Sequence, residues 1–264
     1  MKKRKVLITG ITLAIGSLFM MMLMLNLTHS KHELLYQSQV KRYASFLLAD
    51  QLRQSSDDLT RMARTYVVTQ DDKYEKMYWD ILSIRNGDKA RPENMERVYW
   101  DLVLEYGDKP KPDSEAIPLV ELMKRAGFSE QELALLELAQ QNSDALVTTE
   151  KVAMNAVKGL FGDEKGNFTV SGKPDLEMAR RIMHDAKYHQ DKASIMSPID
   201  EFLKSLDERT RQEVELRRKE QIAYEEMLAL SIVMTFIVLL IGTFMIHRGL
   251  SIIKESDADE LSFD

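Results

Sequence analysis

Two apolar runs decide the fold of this chain: VLITGITLAIGSLFMMMLMLNL at residues 6–27 and MLALSIVMTFIVLLIGTFMI at residues 227–246. Each run supplies the roughly 20 uncharged residues with which an α-helix crosses about 30 Å of hydrocarbon. Residues 28–226, between the runs, are polar and patterned for helices. We therefore predict two transmembrane helices that tether one central domain on a single side of a membrane.

The positions of basic residues predict on which side of the membrane the central domain lies. Residues 2–5 are all lysine or arginine, and such residues beside a span are retained in the cytoplasm. Residues 217–219 are also basic and argue weakly against this orientation, but the first span usually dominates. We expect a two-pass protein of the bacterial inner (cytoplasmic) membrane, with residues 1–5 and 247–264 cytoplasmic and residues 28–226 periplasmic.

A cleavable signal peptide is the alternative interpretation of residues 6–27, because a charged segment followed by an apolar stretch also fits secretion. The run is long for a signal peptide, and LNLTHS at residues 25–30 offers no convincing small-residue cleavage site. We therefore prefer an uncleaved membrane anchor.

Composition indicates an all-α protein. Glycine (11) and proline (6) are scarce among 264 residues, and 30% of the residues are charged, which favours long helices with solvated outer faces. The formal charge of −6 provides no basic surface for nucleic acid. With zero cysteines, disulfides and thiolate metal sites are excluded, so we expect helix packing alone to hold the fold, without a cofactor.

The first helix is expected to be long, because no glycine or proline occurs between Ser17 and Gly87. It should run from the membrane to Tyr66 or Thr69. Spacings of four and three lay one stripe along it, which predicts packing in a bundle, and a shorter stripe nearer the membrane predicts a different packing partner. The main stripe comprises Leu48, Leu52, Ser55, Leu59, Met62 and Tyr66, and the shorter one Val40, Tyr43 and Leu47.

The last helix is predicted to begin at Ser197 as its N-cap, with Pro198 in its first position. It meets no further glycine or proline before Gly242, so it should enter the second span directly. Its inward stripe becomes polar near the membrane, which suits a seam that slides or rotates. This stripe comprises Ile199, Leu203, Leu206, Thr210, Val214, Arg217, Gln221 and Tyr224.

Shorter helices fill the middle of the chain. Ser129 and Glu132 form a capping box, and a loop with four glycines and a turn at 163–167 follows that helix. We predict short helices at residues 73–84, 93–106 and 117–126, which are unstable alone and must pack on the long ones. A longer helix is predicted at residues 129–158, with the loop at 159–172 and a further helix from Pro174.

Several phrases recur together in one kind of sensory region: DQLRQSSDDLTRMARTYV at 50–67, IRNG at 84–87, YWD at 99–101, NSD at 142–144, AM at 153–154 and KASIMSPI at 192–199. The chain in this way resembles the extracytoplasmic sensory domains of bacterial chemoreceptors, sensor histidine kinases and cyclase-type receptors. The resemblance covers residues 34–216. It implies an all-α, antiparallel ligand-sensing bundle with a four-helix core, or two stacked helical modules, and it implies no known ligand.

The chain departs from that pattern after the second run. Receptors of this kind continue into a coiled-coil relay and then a kinase-control hairpin, a kinase core or a cyclase domain. Residues 247–264 show no heptads, phosphate loop or metal-cyclase motif. We expect either the sensory portion of a longer receptor or a shortened relative that signals through a partner protein.

A charged face of the first long helix carries the main candidate site. Arg53, Asp57, Arg61 and Arg64 follow one another at spacings of four, four and three, so they occupy neighbouring positions. Their guanidinium groups could hold a carboxylate or other anion. The same spacing makes an ordinary salt-bridge ladder on a solvated helix. From the residues alone, the salt-bridge ladder is the favoured interpretation. When the resemblance is also considered, anion binding and the ladder are equally favoured.

Polar residues inside apolar stripes add further candidates. Ser55, Ser143 and Glu150 lie in such stripes, where a polar group needs a hydrogen-bond partner or a ligand. Interior packing with a satisfied hydrogen bond is the favoured explanation, and ligand contact is the other. The candidate ligand-binding set is Arg53, Ser56, Asp57, Arg61, Arg64, Ser143 and Glu150.

Four aromatic residues could line a pocket, although packing of the short helices explains them more simply: Tyr78, Trp79, Tyr99 and Trp100. His29 and His32 share a helical face, but two histidines alone make a poor metal site. Neither a Ser-His-Asp order nor a pair of catalytic carboxylates can be argued from the sequence, so we expect no enzyme.

We predict a receptor module that acts as a homodimer and whose periplasmic bundle binds a small solute, with an anion as one candidate class. The second span would pass a conformational change to a cytoplasmic signalling domain or partner, as in chemotaxis. The alternative is a membrane-anchored structural or adaptor protein whose bundle binds another protein. A polar cavity beside Arg53, Asp57 and Ser143 would favour the sensor, and a packed, dry interior would favour the adaptor.

Overall fold

The computed structural model describes residues 2–107 and 111–260. The fold of this part is all-α, as predicted, with one small two-stranded sheet. Two compact units make up the chain, residues 1–40 with 211–264 and residues 41–210. The helices are α1 (Lys2–Thr69), α2 (Asp72–Asn86), α3 (Trp100–Tyr106), α4 (Leu119–Arg125), α5 (Glu130–Val157), α6 (Leu176–Ile182) and α7 (Ala186–Glu260), and the strands are β1 (Leu160–Phe161) and β2 (Val170–Ser171).

Helices α1 and α7 are both long and apolar enough to cross a membrane, as predicted for residues 6–27 and 227–246. Their most apolar 18-residue windows have mean hydropathies of 2.1 and 2.6. Only 6% and 11% of the residues in these windows are buried, whereas a core helix of a soluble protein would bury most of them. The chain therefore fits a membrane protein. Of the predicted cytoplasmic ends, residues 1 and 261–264 lie outside the described residues.

Small residues bring the two apolar helices of the first unit close together. A Cβ atom placed on Gly10 would lie 3.6 Å from the carbonyl oxygen of Gly242, and one placed on Gly242 would lie 3.5 Å from that of Gly10. The hydroxyl of Thr235 donates to Ser17 O at 3.2 Å. Transmembrane helices commonly pack through small and hydroxyl side chains, so these contacts suit a pair of neighbouring spans.

The seam of this unit is polar beyond the apolar runs, as predicted for the last helix. Lys31 Nζ pairs with Glu220 Oε2 at 3.0 Å, and the side chains of both residues are about one quarter to one third exposed. Gln221 Nε2 lies 3.0 Å from His32 Nδ1. His32 is thus bonded within the helix pair.

The second unit is built on one hydrophobic core to which α1, α2, α5 and α7 all contribute, which agrees with the predicted four-helix core. The main stripe of α1 faces this core, because Leu52, Leu59, Met62 and Tyr66 are each 7% exposed or less. Burial of such side chains is worth about 25 cal/mol per Å² of apolar surface removed from water. It is the main favourable contribution to the bundle.

The shorter stripe of α1 has a different environment. Val40 and Tyr43 are 49% and 65% exposed, and Leu47 is half-buried. Tyr36 and Phe46 are also exposed, by 60% and 53%. The different packing partner predicted for this stripe is not supplied by the described part of the chain.

Local signals set several helix ends as predicted. The Ser129 hydroxyl accepts from Glu132 N–H at 3.2 Å while the Glu132 carboxylate accepts from Ser129 N–H at 2.7 Å, which completes the capping box of α5. Gly87, with a φ of 82°, ends α2 in the left-handed conformation. The turn at 163–167 forms, but β1 and β2 pair on either side of it. The predicted loop is therefore partly a hairpin.

The helix predicted at residues 93–106 begins late, at Trp100. The backbone before it pairs elsewhere: Glu93 N–H donates to Pro112 O at 2.9 Å. Asn94 has a φ of 51°, and this left-handed conformation cannot continue a right-handed helix. The prediction for this start was wrong because the pairing partner lies far along the sequence.

The predicted start of the last helix was also wrong. Helix α7 begins at Ala186 and contains Pro198 in its interior. Proline has no N–H to donate to the carbonyl four residues earlier, which here belongs to Ser194. The Asn142 side chain of α5 donates to that carbonyl through Nδ2 at 2.8 Å. A side chain of a neighbouring helix thus replaces the hydrogen bond that Pro198 removes.

Replacing Asn142 tests this compensation. Asn142→Ala should lower the free energy of unfolding by about 1 kcal/mol, because it leaves the Ser194 carbonyl without a partner. In a Pro198→Ala background the same replacement should cost much less, since residue 198 then donates to Ser194 itself. Thermal unfolding of the full chain in lipid nanodiscs would measure both. Equal losses in the two backgrounds would contradict the explanation.

Gly87 and Gly107 allow a matched test of a second constraint. A Cβ on Gly87 would lie 2.4 Å from the Pro118 nitrogen, whereas one on Gly107 would meet none of the described atoms within 4 Å. Both residues end helices with positive φ. We expect Gly107→Ala to cost about 1–2 kcal/mol from backbone conformation and Gly87→Ala at least about 2 kcal/mol more from the clash. Similar losses in melting temperature would refute the steric contribution.

Candidate ligand-binding site

A large cavity of the second unit, called the larger cavity below, lies beside the predicted arginine face of α1. Its volume is about 570 Å³, which is in the range of small-molecule sites. Its walls come from α1, the end of α2, the segment before α3, α3 itself and the first residue of α4. The charged lining residues are Arg53, Arg61, Arg85, Arg91, Arg97, Asp57, Asp58, Glu96 and Asp101, and the apolar and aromatic ones include Ile81, Ile84, Met95, Tyr99, Trp100 and Leu119.

Four hydrogen-bond donors in this lining have no partner. They are Nε of Arg61, Arg85 and Arg91 and the indole Nε1 of Trp100, and all four atoms are buried. Among the described residues, these are the side-chain nitrogen and oxygen atoms that are buried without a hydrogen bond. A buried donor without a partner costs about 1–3 kcal/mol, and native structures contain few of them. All four belong to residues that line this cavity, although the donor atoms themselves lie beneath its surface.

Arg85 and Arg91 are the most deeply placed cations of the site, with 7% and 8% exposure. Arg85 donates to the Ser143 hydroxyl at 2.9 Å and lies 3.5 Å from the exposed Asp144 carboxylate. Arg91 donates to Gln51 Oε1 at 2.7 Å. Burial lowers the pKa of both guanidinium groups from the usual value. They nevertheless stay charged at neutral pH, since arginine titrates far above it.

The predicted arginine face of α1 forms both a ladder and a wall. Arg53 pairs with Asp50 at 2.9 Å and with Asp57 at 3.1 Å. Arg61 pairs with two carboxylates, Asp58 on α1 and Asp101 on α3, at 2.9 and 2.6 Å. The salt-bridge ladder is therefore present, and Arg53, Asp57 and Arg61 line the cavity as well.

Arg64 lies apart from this group. Its Nε donates to Met183 O at 3.0 Å, and its guanidinium lies 4.8 Å from the centre of the Tyr188 ring. The geometry is that of a cation–π contact. Arg64 in this way ties α1 to the chain around α6 and α7 rather than pointing its charge at the cavity.

Ser56 and Ser143 line a second, smaller cavity of about 270 Å³. Ser56 accepts from Lys192 Nζ at 2.7 Å. Lys192 also pairs with Asp57 at 3.2 Å. Arg85 lines both the larger and the smaller cavity, so its guanidinium is the polar group common to the two.

Glu150 is the centre of a buried polar network. It is 2% exposed, and its two oxygens accept from the hydroxyls of Tyr78 and Tyr188, each at 2.7 Å. Thr60 Oγ1 lies 3.2 Å from the Tyr188 hydroxyl. Burial raises the pKa of the Glu150 carboxyl, although both tyrosine hydroxyls and the Lys192 charge oppose the change. The network accounts for Glu150 as a partnered core residue.

The four predicted aromatic residues separate into two pairs. Tyr78 is fully buried, and its neighbour Trp79 donates to Glu75 at 3.3 Å. Tyr99 and Trp100 are 5% and 6% exposed and line the larger cavity. Their rings meet edge to face, with centroids 4.9 Å apart.

Arg85 and Arg91 were not among the predicted candidates. Arg85 lies seven residues after Tyr78 and so shares the buried face of α2. A charge on that face should have been chosen by the reasoning that selected Ser143 and Glu150. Arg91 precedes a proline in an irregular segment, where helical periodicity gives no signal.

The Glu150 network predicts a pH dependence. Because the folded-state pKa is raised above the usual 4.5, the folded chain binds a proton more tightly than the unfolded chain. The stabilisation from Glu150 is then present below pH 4.5 and decreases as pH rises through the folded pKa. The stability difference between wild type and Glu150→Gln should therefore fall with rising pH in thermal unfolding.

Glu132→Gln is a control of opposite sign. Burial of the Glu132 carboxyl is outweighed by its hydrogen bonds from Arg209 and Ser129, which lower its pKa. Its contribution to stability is present above pH 4.5 and is lost as pH falls through the folded pKa. If both variants changed in the same direction with pH, the assignment of Glu150 would be wrong.

Comparison of the chain with protein-family models, with curated proteins and with solved structures finds no match. The resemblance of residues 34–216 to bacterial sensory regions is therefore still an expectation from the sequence. The cavity with its arginine-rich lining and the two helices that could span a membrane are the observations that bear on function.

Proposed function

We propose that this chain is the sensory module of a two-pass transmembrane receptor of the bacterial inner membrane. Its second unit, on the periplasmic side, binds a small solute in the larger cavity. The observation that carries this proposal is one cavity of about 570 Å³ in which five arginine side chains lie beside apolar and aromatic ones. A packed interior, as an adaptor protein would have, offers no reason for such a cavity.

The same cavity suggests how binding would be transmitted. The larger cavity draws its walls from α1, α2 and α3, so an occupant would bridge helices and favour one packing of the bundle over another. The Arg85 side chain also lines the smaller cavity, together with Ile195 and Ile199 of α7. Helix α7 runs without interruption from Ala186 to Glu260. A small shift of this helix would carry the signal to a cytoplasmic signalling domain or partner, as in chemotaxis.

A homodimer is part of the proposal. Tyr36, Val40, Tyr43 and Phe46 leave large apolar side chains exposed on α1. Exposed apolar patches on a protein commonly mark an interaction surface. A second copy of this chain, brought alongside by the shared membrane, would cover them.

Solute binding can be tested on the full chain in lipid nanodiscs. A library of small solutes should contain at least one that raises the melting temperature in a saturable way. Val98, 63% exposed at the cavity wall, supplies a blocking position, and Val98→Trp should abolish the shift. Val170→Trp, at a residue 49% exposed on β2, is the matched control and should preserve it.

Transmission can be tested through introduced cysteines, because the chain has none of its own. Ser17→Cys with Thr235→Cys places a pair where the two apolar helices touch. The active solute should change the rate of disulfide formation, and Val98→Trp should remove that change. Absence of any solute effect in both assays, together with capture of a different protein regardless of solute, would favour the adaptor and refute the sensor.

A further inference from the structure

The smaller cavity of the second unit has the character of a ligand site of its own. Its volume is about 270 Å³, and it shares Arg85 and Leu119 with the larger cavity. We propose that it binds a compact neutral molecule, an apolar ring that carries one carbonyl group. This inference goes beyond the proposed function, which depends on the larger cavity.

The size of the smaller cavity limits its occupant. An apolar cavity of about 150 Å³ binds one benzene molecule, so about 270 Å³ holds one ring and a few further atoms. Sites for drug-sized ligands begin at about 300 Å³. The volume therefore fits a single-ring compound and excludes a nucleotide or a peptide.

Much of the wall is apolar, and it comes from four helices. A ring placed against such side chains would remove apolar surface from water, which favours binding. The apolar lining residues include Leu52 of α1, Leu119 and Val120 of α4, Ala139 of α5, and Ile195 and Ile199 of α7.

The charges of the lining favour a neutral ligand. Among the described residues that line the smaller cavity there is no carboxylate, so an ammonium group would find no counter-charge there and would lie near Arg85. The Arg85 guanidinium already donates to the Ser143 hydroxyl at 2.9 Å and lies 3.5 Å from the Asp144 carboxylate. An anion would compete with these partners and would lose its water against apolar walls, which is costly. A neutral group avoids both penalties.

Ser56 provides a donor for the carbonyl group. Its hydroxyl oxygen accepts from Lys192 Nζ at 2.7 Å, and within the described part of the chain the hydroxyl donates to no acceptor. A serine hydroxyl has one hydrogen to donate, and a bond accepted from a cation strengthens that donor. The ligand's carbonyl oxygen would accept this hydrogen while Lys192 stays paired with Asp57 at 3.2 Å.

The position of the smaller cavity gives its occupant an effect on α7. Ser143 follows Asn142 on α5, and Ile195 follows Ser194 on α7. The cavity therefore adjoins the hydrogen bond from Asn142 to the Ser194 carbonyl. A ring packed against both helices would oppose their separation at this turn, so the neutral ligand would stabilise the present arrangement of α5 and α7.

Ring-matched probes test the ligand class. The full chain in lipid nanodiscs would be melted with the neutral ketones cyclohexanone and acetophenone. Two charged molecules with the same six-membered ring, cyclohexylammonium and cyclohexanecarboxylate, would be compared with them. We expect a ketone to raise the melting temperature in a saturable way, and neither charged probe to bind in the smaller cavity.

Paired tryptophan variants locate the binding. Gln140→Trp places a large ring at a half-buried position of the cavity wall and should abolish the shift caused by the ketone. Leu138→Trp lies two residues earlier on α5, at a position 48% exposed, and should preserve the shift. Because both variants are measured in the same nanodiscs, the comparison also corrects for ketone dissolved in the lipid.

A serine pair tests the polar end with a smaller change to the core. Ser56→Ala should weaken ketone binding about threefold to tenfold, because one hydrogen bond is lost. Ser45→Ala, at a buried serine of α1 outside the described lining of both cavities, should leave the affinity unchanged. Circular dichroism before addition of the probe would establish that each variant is folded.

Each contrary outcome has a distinct meaning. If neither ketone shifts the melting temperature, or if the shift is equal in Gln140→Trp and Leu138→Trp, this site is refuted and the proposed function is untouched. A charged probe whose shift is lost in Gln140→Trp would overturn the neutral ligand. A ketone shift lost in Val98→Trp but kept in Gln140→Trp would place binding in the larger cavity. Equal affinities in Ser56→Ala and Ser45→Ala would refute the assigned donor.

Discussion

A single buried carboxylate links the four helices of the core. Glu150 of α5 accepts from Tyr78 of α2 and Tyr188 of α7, and the Tyr188 hydroxyl contacts Thr60 of α1. In the low dielectric of a protein interior, such bonds strengthen one another, and leaving one unmade is costly. Apolar packing tolerates small rotations of a helix, whereas this network fixes which faces meet. The network therefore joins α1, α2, α5 and α7 through directional bonds inside an otherwise apolar core.

The sequence predicted the parts of the fold that local periodicity and capping control. The stripe of α1, the capping box at Ser129 and the left-handed end of α2 depend on residues within a few positions of one another. The predicted start of α3 was wrong because Glu93 pairs with Pro112. The predicted start of α7 was wrong because Asn142 supplies the hydrogen bond that Pro198 removes. Both depend on contacts between distant residues, which a single sequence does not reveal.

The candidate site also contains residues that local spacing predicts and residues that only long-range folding brings together. Arg53, Asp57 and Arg61 could be chosen because one helix places them together, and they do line the larger cavity. Arg91 could not be chosen from the sequence, because it lies in an irregular segment whose position no helical spacing predicts. The predicted salt-bridge ladder is present, and Arg53 and Arg61 line the cavity as well, so anion binding by this face stays a prediction. Arg53 donates to Asp50 through Nε and to Asp57 through Nη1, whereas Arg61 uses only its Nη atoms and its Nε has no partner.

Pro198 gives α7 an uneven stiffness along its length. A regular α-helix resists bending through its own ladder of hydrogen bonds, and proline is the usual place where that resistance fails. Here the missing bond is replaced by Asn142, which belongs to α5. The stiffness of α7 at this turn therefore depends on a hydrogen bond from α5. A displacement of α5 relative to α7 that broke this bond would leave the Ser194 carbonyl without a partner and make α7 easier to bend at Pro198.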